Sequence, residues 1–172
     1  MPVTKATLAD TAALNVLVNS AYRGEHSKKG WTTEADLLAG NRIDEETIAG
    51  YLNTPGVAIL KYTDDNGEIK GSVYLENKGN KLYLGMLSVD PEMQAGGIGR
   101  LLLHEAEVFA KGLHLPVISI TVISTRAELI AWYQRRGYNA TGEVQPFHAE
   151  EKFGIPHNPI ELIVMEKNLI DQ

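Results

Sequence analysis

The sequence predicts a mixed α/β domain with an antiparallel front half and a β-α-β-α-β back half. Three observations carry this. VAILKY, EIKGSVYLE and KLYLGMLSVD follow one another with only DDNG and NKGN as turns, both hairpin-type signals. A glycine-rich stretch, QAGGIGR from Gln94 to Arg100, leads from the third strand into LLLHEAEVFA, a helical pattern. VISITVI then supplies a fourth long strand. Because a helix separates it from the strand before, those two can pair in parallel. The 172 residues suit one domain over 1–172, and a hydrophobic fraction of 44% suits a real core.

Taken in order, MPVTKAT is short and can supply a first strand. Thr7 and Asp10, three apart, form a helix N-terminal capping pair. Leu14, Leu17, Val18 and Ala21 then fall on one helical face. AYRGEHSKKGWTTEADLLAGNRIDEE is polar with few strand signals and predicts one or two short helices. Thr33 or Asp44 would cap them, and Gly40 and Gly50 would interrupt or end them. After the meander, the glycine stretch and VISITVI, Thr125 and Glu128 mark another helix start. Leu129, Trp132 and Tyr133 share a face of that helix, and Gly137 ends it. GYNATGEV and IELIVMEKN are the last strands. Between them QPFHAEEKFGIPHNP is a long loop, and long loops in compact domains are often functional.

The totals exclude several classes. A net charge of −6 argues against a non-specific nucleic-acid surface. With no cysteine there is no disulfide, thiolate metal site or cysteine nucleophile. No apolar run approaches the roughly 20 residues that span a bilayer, and no secretory signal opens the chain. A cytoplasmic protein is the expectation. The five histidines lack metal-ligand spacing such as H-E-x-x-H, so no metal is expected.

A helix start exposes unpaired N–H groups and the positive end of the helix dipole. Glycines ahead of it let the backbone approach a ligand closely. Together they form an anion site suited to phosphate, to which Gln94 can add a donor and Arg100 a charge. The alternative is a tight turn with no ligand. Two familiar phosphate loops fail here. The end Gly99-Arg100-Leu101 lacks the Gly-Lys-Ser/Thr of a P-loop, and Leu102 stands where a dinucleotide fingerprint needs glycine.

Gln-x-x-Gly-x-Gly, read as Gln94, Gly97 and Gly99, does fit. It stands behind LGMLSVDP and ahead of an amphipathic helix. With LSVDPEMQAGGIGRLL, the later AWYQRRGY and the final IVMEK, the chain resembles the Gcn5-related N-acetyltransferase (GNAT) family over nearly its whole length. The resemblance implies an acetyl-CoA-dependent N-acetyltransferase with direct transfer to an amine. It implies that Gln94, Ala95, Gly96, Gly97, Ile98, Gly99 and Arg100 hold the pyrophosphate. It further implies that the strand residues Leu87, Ser88 and Val89 face the pantetheine arm, with Leu87 and Val89 supplying main-chain groups and one N–H polarising the acetyl carbonyl.

Tyr133 matches the tyrosine that many members place near the thioether sulfur, so it is the candidate acid. A phenol, with a reference pKa of about 10, can donate to a departing thiolate. The alternative is a core aromatic. The family's common Asn seven residues earlier is Arg126 here, which can reach a phosphate or point to solvent. No single general base stands out among Glu76, Glu34, Glu25, His26 and a water relay.

By the same resemblance, the acceptor site is built by the segment after the first helix and the loop before the last strand. The first holds Tyr22, Arg23, Trp31 and Glu34; Arg23 can clamp a carboxylate and Trp31 can supply a flat wall. The second holds His148, Glu150 and Glu151. The expected acceptor is a small amine, such as an amino acid, a polyamine or an antibiotic, or else a protein amino group. Neither nucleic acid nor membrane is an expected partner, and the chain is a monomer or homodimer. The alternatives are an acyltransferase using another acyl-CoA or a hydroxyl acceptor, and a non-catalytic acyl-CoA sensor.

Overall fold

The computed structural model describes residues 2–22, 38–39, 43–146, 155–156 and 161–169. The meander forms as expected, as β3 (Val57–Thr63), β4 (Ile69–Asn77) and β5 (Leu82–Val89), all antiparallel. Both turns work through their polar residues. Asp64 Oδ1 accepts from the N–H groups of Asn66 and Glu68, and Asn77 Oδ1 accepts from Gly79 N–H. The opening segment gives β1 (Val3–Lys5), paired antiparallel with β3.

Beyond the meander come α3 (Ile98–Gly112), β6 (Val117–Ile123), α4 (Ala127–Gln134), β7 (Asn139–Pro146) and β9 (Glu161–Asn168). One sheet carries seven strands in the order β1-β3-β4-β5-β6-β9-β7. Its one parallel pair is β5–β6, and β9 lies between β6 and β7. Gly137, with φ of 96°, makes the left-handed turn after α4 and stands outside β7 rather than in it.

Strand alternation splits the core in two. Val73, Leu75, Leu82 and Leu84 point to one face, where Leu102, Leu103 and Ala106 of α3 cover them. Tyr74 and Met86 point to the other, toward Leu14 and Val18 of α1 (Thr11–Tyr22) and Ile48 of α2 (Glu45–Leu52). Each buried leucine contributes about 1.5–3 kcal/mol. Gly71 is what lets α3 lie close on β4: a Cβ there would stand 2.7 Å from Ile98 Cγ2 and 3.0 Å from Leu102 Cδ1.

Three expectations change. Thr7 and Asp10 do pair, with Thr7 N–H donating to Asp10 Oδ2 at 2.8 Å. They enclose a 3₁₀ turn, Leu8–Asp10, that leads into α1. Asp44 caps α2 through Thr47 N–H, but the helix runs through Gly50 and stops at Asn53, because nothing there demands a left-handed residue. The polar stretch also holds a short strand, β2 (Leu38–Ala39), which pairs with β8 (Ile155–Pro156) from the long loop. Thr33 and Gly40 lie outside the described residues. Among the described residues no helix is long and apolar enough to cross a membrane.

Candidate active site

The parallel strands β5 and β6 pair only at Leu82–Ile118 and Tyr83–Ser119, then part. The cause lies on the other side of β5. Ser88 pairs with Ser72 and Gly85 with Tyr74, so β5 carries one more residue than β4 across that span. This is a β-bulge, which bends a strand and sharpens its twist. Met86 takes a φ of 47°, rare for a residue with a long side chain. Ser88 Oγ donates to Met86 O at 2.9 Å and braces the kink.

Between the parted strands is a cleft of ≈ 190 Å³. Leu84 to Leu87 form one wall and Ile120 to Ile123 the other. Arg126, just before α4, and Leu129 and Tyr133 of α4 close it. Of the strand residues singled out from the sequence, Leu87 lines this cleft. Ser88 is turned to the bulge, and Val89 is buried near Gly99.

At the open end, Asp90 Oδ1 accepts from Glu92 N–H and starts a 3₁₀ turn, Pro91–Gly96. Gly97, with φ of 83°, joins it to α3. The start of α3 has no side-chain cap and no acidic residue in its first turn. Its first N–H groups and dipole are therefore offered outward, as an anion site needs. The side chains of Gln94 and Ala95 lie outside the described residues.

Arginines missed in the sequence gather here. A Cβ on Gly99 would stand 3.4 Å from Trp132 Cζ2, so α4 packs directly on the start of α3. Arg136 stacks over Trp132, its guanidinium 4.2 Å from the ring centroid, and Arg136 Nη1 donates to Trp132 O at 3.0 Å. Burial, then the charges of Arg135 and Arg100, push the Arg136 pKa down. The charges of Arg100 and Arg135 are thus felt at Arg136. The signal was visible as RR in AWYQRRGY; its target was not.

Arg126 is 5% exposed, so the solvent alternative falls. Its Nε donates to Glu128 Oε1 at 2.8 Å, and this bond holds the Glu128 carboxyl below the usual range. Glu128 is thus taken by Arg126 instead of pairing with Thr125, and α4 starts at Ala127 with Arg126 at the cap position. Arg126 Nη2 is buried with no hydrogen-bond partner among the described residues. Tyr133, 6% exposed, is both a core aromatic and a cleft residue. Its ring stands edge-on to Trp132 at 5.1 Å and to Tyr138 at 5.6 Å.

The two segments expected to build the acceptor site meet through the β2–β8 pair, Leu38 opposite Pro156 and Ala39 opposite Ile155. Arg23, Trp31, Glu34, Glu25, His26, His148, Glu150, Glu151 and the Tyr22 side chain lie outside the described residues. Glu76 is described: its Oε1 accepts from Tyr74 Oη at 2.9 Å. Tyr83, missed in the sequence, lines the cleft and stands 3.3 Å from Thr121 Oγ1 through its hydroxyl. Gly85 in mid-strand was the available sign of both the bulge and the space for that ring.

A mixed sheet parted at a bulge, with a bare helix start at the open end, is the architecture of acyl-CoA N-acyltransferases. The chain belongs to the acetyltransferase (GNAT) domain family, whose model matches residues 25–164. Among curated proteins it is similar to the mycothiol acetyltransferase of Propionibacterium freudenreichii, 27% identical over 133 residues. That match covers 72% of this chain and 38% of the relative, so the chain spans well under half the relative's length. Among solved structures it is similar to the ribosomal-protein-alanine N-acetyltransferase of Brucella melitensis, with a TM-score of 0.71 and 22% identity over 98% of this chain and 100% of that one. It is also similar to the PaiA N-acetyltransferase of Thermoplasma acidophilum in complex with coenzyme A, with a TM-score of 0.68 and 17% identity over 96% and 97%.

Proposed function

We propose that the chain is an N-acetyltransferase that uses acetyl-CoA and transfers the acetyl group directly to an amine of a small molecule. It acts as one domain over residues 1–172 and works in the cytoplasm. The observation that carries this reading is the continuity of the site. A cleft flanked by bent strand backbone runs beneath α4, and the uncapped, arginine-flanked start of α3 stands at the open end of the parted strands.

The residues fit such a ligand. The backbone from Gln94 to Arg100 holds the pyrophosphate, and Arg100, Arg135 and Arg136 add charge around it. Leu87 to Val89 present main-chain groups to the pantetheine arm. Arg126 Nη2 is a buried donor in want of an oxygen, and the cleft beside it is where a thioester or pantetheine oxygen would lie. In the transfer, the amine nitrogen attacks the carbonyl carbon, the C–N bond forms and the C–S bond breaks. The amine's surplus proton leaves to a base or solvent. Tyr133 gives its hydroxyl proton to the departing thiolate and regains one from water.

Thermal unfolding with acetyl-CoA tests this. Ligand at about 100 times its dissociation constant stabilises by ~2.7 kcal/mol. For a chain of this size that raises Tm by about 7 °C. No rise at millimolar acetyl-CoA overturns the reading.

A further inference from the structure

We propose that Glu76 and the face of Tyr83 form a subsite for a second, non-reacting ammonium of the acceptor, so that the acceptor is a short linear diamine or polyamine. This rests on the N-acetyltransferase reading above.

The subsite already holds an ammonium. Lys78 Nζ lies 3.2 Å from Glu76 Oε2 and 5.9 Å from the centroid of the Tyr83 ring. Carboxylate and aromatic face together are what an alkylammonium binds. The surrounding tyrosines fix the carboxylate. Tyr74 Oη donates to Glu76 Oε1, and the Tyr74 ring stands edge-on to Tyr51 at 4.9 Å and to Tyr83 at 6.2 Å. Glu76 and Tyr83 are direct cross-strand partners on β4 and β5, so they share one face of the sheet.

Lys78 is a stand-in that leaves easily. Its side chain is 46% exposed, and exposed ion pairs contribute little. An incoming ammonium replaces it like for like.

Tyr83 links the subsite to the cleft. A Cβ on Gly85 would stand 2.9 Å from Tyr83 Cε2, so the missing side chain lets the ring lie back along β5 toward the split. Its hydroxyl end meets Thr121 at the cleft wall, while Lys78 and Glu76 flank the ring itself. The ammonium position and the cleft are therefore separated by about one phenol ring. An acceptor with two amines joined by a few carbons bridges that gap. One stays charged on Glu76 and the other enters the cleft. An acceptor bearing a carboxylate at that position would meet Glu76 with like charge.

The test is steady-state acetylation by the full chain, with 1,4-diaminobutane and butylamine as acceptors and acetyl-CoA binding followed by thermal shift. The diamine should exceed the monoamine in kcat/KM by about tenfold. Glu76→Gln should abolish that ratio, and Lys78→Ala should lower the KM of the diamine severalfold. Equal kcat/KM for the two acceptors overturns the inference, as does a diamine preference that survives in Glu76→Gln. If acetyl-CoA binds but neither amine is acetylated, the diamine inference falls while the N-acetyltransferase reading stands. If acetyl-CoA gives no shift, both fall.

Discussion

Replacing Gly96 with valine tests whether the loop ahead of α3 is shaped for a ligand or only for a turn. Gly97 needs its left-handed φ, and Gly99 has Trp132 against it, so substituting either disturbs the fold as well as any ligand. Gly96 differs from both. Its φ lies outside the left-handed region, and a Cβ there meets nothing within 4 Å. Valine should therefore change the stability of the free protein by less than about 0.5 kcal/mol. A diphosphate lying against this backbone changes the outcome, because the added methyl groups hold it off the N–H groups. Two lost hydrogen bonds to a charged group remove about 1.5–3 kcal/mol each. The dissociation constant then rises by at least about 100-fold. At the acetyl-CoA concentration that gave the parent about 7 °C of stabilisation, the variant should gain about 1 °C. A valine variant that keeps the parent's full shift refutes the phosphate-cradle argument. A free variant that melts several degrees lower refutes the claim that Gly96 has no structural duty.

Tyr133→Phe keeps the edge-on packing with Trp132 and Tyr138 and removes only the hydroxyl. Turnover should fall about 100-fold, with acetyl-CoA affinity within about twofold; an unchanged kcat would rule out the acid role. Asp10 gives a pH test. Burial pushes its carboxyl up, but Thr7 N–H and the Lys61 ammonium at 2.9 Å outweigh that and hold it below its ordinary value. The stabilisation is therefore complete above the unfolded carboxylate value of about 3.9 and is lost as pH falls through the lower, folded value. Asp10→Asn should cost about 1 kcal/mol at neutral pH, and the gap in Tm between variant and parent should close on acidification below that value.

Elements with a strong local signal were legible. The meander could be read because alternation and turn chemistry agree, as in Val73 and Leu75 facing α3 while Tyr74 faces α1 and α2. The long amphipathic α3 could be read for the same reason. The Thr7–Asp10 pair was legible, but the 3₁₀ turn it encloses was not, because three-residue spacing serves both helix types. Strands β2 and β8 carry two residues each and pair across more than a hundred positions, so no local pattern announces them. Arg126 could not be placed from sequence, since its burial depends on the cleft and on Glu128 two residues on.

The site itself depends on where elements meet more than on what they are. The bulge at Met86 comes from the extra residue that β5 carries against β4 and turns β5 away from β6, and only Gly85 hints at it beforehand. Charge behaves in the same way. A net −6 chain argues against polyanion surfaces when averaged, yet the fold draws Arg100 from α3 together with Arg135 and Arg136 at the end of α4. Gly99 makes this possible by letting Trp132 pack on the helix start, and Trp132 in turn carries Arg136. Composition bounds the whole surface, but a phosphate responds to the field within roughly one Debye length of where it sits, about 8–10 Å. Within that radius the charges of Arg100, Arg135 and Arg136 and the dipole of α3 count for more than the net −6 of the whole chain.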